Sequence, residues 1–110
     1  MKDMLIKMIE EFTGKNKKGY IFDVIDAHGR SYSQVVMLIQ TVGVAIKEDE
    51  ENKACVFGVK TGFANMATAY LAICMKDSQI EIIANAQEGL IKQNLAKKVV
   101  DKIRRIINEK

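Results

Sequence analysis

The chain is expected to fold as an α+β domain. An N-terminal helix, an antiparallel β-meander of about four to five strands and a long C-terminal amphipathic helix packed on the sheet make up the predicted architecture. Three observations predict it. Both ends of the chain carry apolar residues at helical spacing. The middle holds short runs rich in β-branched and aromatic residues, separated by polar turns. The composition is 48% hydrophobic and 28% charged, that of a folded globular protein. With 110 residues, one domain spanning 1–110 is expected. A chain of that size buries roughly 65% of its extended surface, enough for a core without staples.

The first helix is read over residues 3–13. Met4, Leu5, Met8, Ile9 and Phe12 form one stripe, and Gly14 follows as a stop. A basic loop, GKNKKG, leads to a strand over residues 20–26, where Tyr20, Phe22 and Val24 alternate with Ile21, Asp23 and Ile25. The segment DAHGRS reads as a turn.

Residues 35–48 support two readings. Val35, Leu38, Ile39, Val42 and Ile46 would line a helix capped by Ser33. The β-branched content favours a strand instead, with Gly43 as a bulge, and the strand is the expectation adopted. An acidic turn, EDEEN, follows. Strands are then expected over 54–60, 67–75 and 80–84, the last two joined by the short connection KDSQ. In the second of these, Leu71, Ile73 and Met75 stand opposite Tyr70, Ala72 and Cys74. The final helix is read from Asn85 as N-cap, with Glu88 completing a capping box and Ile91, Leu95, Val99 and Ile103 forming the stripe. The order α–β–β–β–β–β–α resembles, in layout alone, a pleckstrin-homology-like domain. With a helix at 35–48, the order α–β–α–β–β–β–α resembles a roadblock- or profilin-like layout.

Catalytic signatures do not emerge. His28 is the single histidine, and Asp23, Asp26, Ser31 and Ser33 around it match no metal-ligand or nucleophile spacing. GKNKKG lacks the order of a phosphate loop and opens a strand rather than a helix. No catalytic, metal or cofactor-binding residue and no cofactor is therefore assigned. Cys55 and Cys74 lie in apolar runs without C-x-x-C spacing, no secretory leader pattern opens the chain, and no apolar run approaches the ~20 residues of a membrane span. A cytoplasmic protein with reduced, buried thiols and no transmembrane segment is the expectation.

Two surfaces remain as candidates. The small-residue stretch from Phe63 to Ala72 leaves room on a sheet, so Phe63, Met66, Tyr70 and Met75 are candidate lining residues of an apolar small-molecule or lipid pocket. The segment 88–110 carries seven cations against three anions, so it holds +4 of a chain whose net charge is +3. Lys97, Lys98, Arg104 and Arg105 are the candidate face for an anionic partner. The absence of aromatics from that segment disfavours nucleic acid. An open sheet has two edges to protect, and self-association is a common remedy. The functional expectation is thus a small non-enzymatic interaction or regulatory module that forms a homodimer. An apolar ligand pocket is the alternative, and polyanion binding by the last helix the third reading.

Overall fold

The computed structural model of the chain describes residues 2–13, 20–61, 67–86 and 95–109. Its elements are α1 (Lys2–Thr13), β1 (Ile21–Asp26), α2 (Tyr32–Ile39), β2 (Val44–Asp49), β3 (Ala54–Thr61), β4 (Ala67–Lys76), β5 (Gln79–Ala86) and α3 (Leu95–Glu109). All five strands join one antiparallel sheet of order β1-β5-β4-β3-β2. The α+β class, the five strands and the two terminal helices match expectation.

The disputed stretch is both things in succession. Residues 32–39 are helix and residues 44–49 are strand, which corrects the reading of 35–48 as one strand. Local chemistry decides the first half. Ser31, not Ser33, is the N-cap: its side chain accepts from Gln34 N–H, while the Gln34 side chain accepts from Ser31 N–H. That reciprocal box offsets the poor helix propensity of Val35 and Val36. Topology then requires the crossover. β1 and β2 run in the same direction at opposite edges of the sheet, and such strands cannot be joined by a hairpin. The layout lacking a central helix is therefore not adopted. Helix α2 is present, with four strands after it rather than three.

Helices cover both faces of the sheet. On one side, Cys55, Phe57 and Val59 of β3, Leu71, Ile73 and Met75 of β4, and Ile80 and Ile82 of β5 meet Val35 and Ile39 of α2 and Val99, Val100, Ile103 and Ile107 of α3. On the other, Val56, Ala72, Cys74 and Ile83 meet Leu5, Met8 and Ile9 of α1. β3, β4 and β5 are thus buried on both faces, which explains their near-continuous apolar runs. The apolar stripe of α3 follows the expected spacing, but its described start is Leu95. Asn85 is not an N-cap. It lies in β5, pairs with Tyr70 across the ladder and is 2% exposed. Gly14, Glu88 and Ile91 lie outside the described residues.

Gly43 is not a bulge either. The ladder shifts three positions later, between Ala45 and Lys47. Gly43 serves instead as a close-approach point at the entry to β2. A Cβ there would stand 2.9 Å from Val59 Cγ2 and 3.1 Å from the Gly58 carbonyl oxygen. Gly58 makes a contrasting pair, since its Cβ would meet only the flexible end of Ile46 at 3.3 Å. Gly43→Ala is accordingly expected to cost about 1–3 kcal/mol, because the stiff Val59 and a backbone carbonyl must move. Gly58→Ala should stay within about 1 kcal/mol. Urea unfolding midpoints of the two variants check the difference.

Candidate interaction surfaces

The sequence-predicted pocket residues do not converge. Phe63 and Met66 lie outside the described residues. Tyr70 and Met75 are five positions apart on β4, so the pleat sends them to opposite faces. Met75 is buried in the core beneath α2 and α3, while Tyr70 is half-buried on the α1 side. Open space lies one strand over. A shallow groove of about 620 Å³ runs along Gln40, Thr41, Val42, Gly43, Val44, Ile46 and Gly58. Its cause is visible in the register: Gly58 stands between Val44 on β2 and Tyr70 on β4 and contributes no side chain. The one sequence signal for it was a glycine inside a strand pattern, which marks a close approach or an exposed backbone.

The two sheet edges differ in how they are guarded. On β1, the Asp23 carboxylate accepts from Val24 N–H at 2.8 Å and also binds the Arg104 guanidinium of α3. That backbone donor is thereby engaged, and a carboxylate sits on the strand's margin. The Arg104 hydrogen bond holds the Asp23 carboxyl below its ordinary pKa. Partial burial opposes this, and the Val24 N–H assists. A lowered folded-state pKa means the pair contributes stability above the unfolded value of 3.8, which is lost as pH falls through the lower folded value. Asp23→Asn should therefore flatten part of the acid limb of stability below pH about 4. Its cost at neutral pH should be under about 1 kcal/mol, because the pair is solvent-screened. Thermal melts of both proteins from pH 2 to 7 test this.

On β2 the charged residues are paired within the molecule. Lys47 binds Glu11 of α1. Glu48 accepts from the Tyr32 hydroxyl of α2 at 2.8 Å, and that hydroxyl lies 3.0 Å from Ala54 O. Asp49 accepts from Asn52 at 2.8 Å and, through the backbone, at 3.2 Å. Burial first, and then the neighbouring Glu48, push the Tyr32 phenol well above its ordinary pKa, so it stays a donor. The charged half of β2 is thus tied into α1, α2 and the next turn. Lys47 and Glu48 are themselves exposed, and beside them large apolar side chains face solvent: Val44 at 72% exposure, Ile46 at 42% and, on the helix leading into the strand, Met37 at 68%.

The basic helix splits into two rows. Residues 97, 101, 104 and 108 form a row in which every member has an intramolecular partner. Lys97 pairs with Asp101 at 3.0 Å, Arg104 with Asp23, and Asn108 Oδ1 with His28 Nε2 at 3.0 Å. Of the four residues proposed to face an anionic partner, Lys97 and Arg104 are therefore engaged. Lys98 and Arg105 are exposed and have no ion-pair partner among the described residues. The Lys97–Asp101 pair is a local i,i+4 spacing, but the Arg104 contact could not be foreseen, because Asp23 and Arg104 are 81 positions apart in the chain.

The polar residues near His28 also have structural partners. Asp26 Oδ1 accepts from His28 N–H at 2.7 Å in a turn where His28 has φ 54° and Gly29 φ 78°. Ser31 caps α2. Among the described residues, no group of three His, Cys, Asp or Glu side chains could hold a metal ion. Cys55 and Cys74 are buried and free, on opposite sides of the sheet. Burial pushes the Cys55 thiol up to about 11 and raises that of Cys74. No described helix is long and apolar enough to cross a membrane. No family model matches the chain, and no curated protein sequence matches it.

Proposed function

We propose that this chain is a non-enzymatic interaction module that self-associates edge to edge through β2. One observation carries the reading. β2 is an outer strand whose charged residues are engaged internally, while Val44 and Ile46 face solvent. An outer strand normally deters pairing with charge, a bulge or a cover. Here the bulge is confined to the step between Ala45 and Lys47, and Lys47, Glu48 and Asp49 are held by intramolecular partners although Lys47 and Glu48 are exposed. A two-fold axis near Ala45 would pair β2 with its copy and join the two sheets into one of ten strands. Such a contact is self-complementary, as dimer symmetry requires. It would bring the Val44–Ile46 stretches of both copies together, with the groove beside Gly58 open to the partner's side chains.

The test is light scattering after size exclusion, run over a range of concentrations, on the parent chain and on Val44→Lys. The proposal expects a dimer that the substitution converts to monomer. A parent chain that stays monomeric at high concentration would remove it. If native mass spectrometry instead finds a monomer carrying a small apolar molecule, the groove is a ligand site, as the pocket alternative holds.

A further inference from the structure

We propose that the outward row Lys98, Lys102 and Arg105 of α3 is a docking strip for an extended phosphodiester polyanion, engaged through its backbone. The three residues fall at i, i+4 and i+7, one line along the helix. All three are exposed and none has an ion-pair partner among the described residues. On the helical wheel they stand about 150° from the buried stripe of Ala96, Val99, Val100, Ile103 and Ile107. In the adjoining row, Lys97 pairs with Asp101 within the helix, while Arg104 and Asn108 tie the helix to Asp23 of β1 and to His28 in the turn after it. A rigid bar therefore presents three unengaged cations over about 10 Å of helix axis. Duplex DNA offers about six phosphate charges over the same length. The strip ends at Glu109, the next residue in line.

The chemistry of the strip selects the partner. Protein–protein contacts have apolar centres depleted in lysine. This row has lysine at two of three positions and arginine at the third, with the half-buried Ile106 four residues after Lys102. The apolar contact surface of the molecule lies instead on β2. A row of three cations suits a partner whose own surface is mostly negative charge, and it supplies affinity with no base reading.

Fluorescence anisotropy of a labelled mixed-sequence DNA duplex tests the proposal on the full chain at low salt. Three engaged phosphates predict that affinity falls about 500-fold for a tenfold rise in salt. The Lys98→Ala/Lys102→Ala/Arg105→Ala variant should lose on the order of 100-fold in affinity at low salt, together with most of the salt slope. Lys7→Ala/Lys76→Ala, which removes cations elsewhere, should bind within about threefold of the parent. Alanine at exposed helix positions preserves α3, and circular dichroism verifies it. Unchanged binding by the triple variant overturns the proposal. So does a parent chain that ignores DNA, or one that binds poly-glutamate and not DNA, since the partner is then an acidic protein segment.

Discussion

Phe57→Ala is expected to destabilise the fold by about 3–5 kcal/mol. Phe57 is fully buried and, among the described residues, the bulkiest of the fully buried side chains. It sits on β3, between β2 and β4, and faces the core formed with α2 and α3. Its neighbours on that face, Cys55 and Val59, are smaller and cannot fill the space that truncation leaves. The loss therefore combines the transfer energy of the ring with an unfilled cavity. For a domain of this size, whose total stability is about 5–15 kcal/mol, that is a large share. Urea unfolding should show a midpoint lowered by at least about 1 M with an unchanged slope. A shift of a few tenths of a molar would mean that the core is looser than its burial implies.

Val44→Lys is expected to act on association rather than on folding. Val44 is largely exposed, so the fold should change by less than about 0.5 kcal/mol. Across a two-fold contact the same substitution brings two ammonium groups into one interface. Like charges set together in a contact cost several kcal/mol. The dimer dissociation constant should rise about 100-fold or more, corresponding to about 2.7 kcal/mol. Val24→Lys on β1 is the matched control, because Val24 has a similar apolar character on the other edge and its amide already binds Asp23. Sedimentation velocity should show association lost in the first variant and kept in the second.

Much of the fold was legible because its signals are local. The alternation along β4 separates Leu71, Ile73 and Met75 from Tyr70, Ala72 and Cys74, and the two sets do enter different cores. The stripe Val99, Ile103 and Ile107 faces the sheet as its spacing requires. The stretch 35–48 was misread because propensity and capping point opposite ways there. Its β-branched residues suit a strand, yet the Ser31–Gln34 box and the crossover from β1 to β2 impose a helix first. Asn85 has cap chemistry, but eight residues of ladder with β4 and β1 hold it in β5.

The surfaces were legible only in part. The cations of α3 could be counted, and the i,i+4 spacing of Lys97 and Asp101 is local, but that Arg104 is engaged depends on Asp23 arriving from a distant strand. The open edge was foreseeable from topology in general terms. That it would be β2, with its charged residues paired to Glu11, Tyr32 and Asn52, required the tertiary contacts.

Amide hydrogen exchange measured at several protein concentrations tests edge-to-edge association most directly, because it reports which strand becomes protected. Exchange at residues 44–46 should slow as concentration rises and the dimer fills, while exchange at residues 22–24 of β1 stays constant. Protection that appears on β1, or exchange at 44–46 that is independent of concentration in a chain that dimerises, would contradict the account.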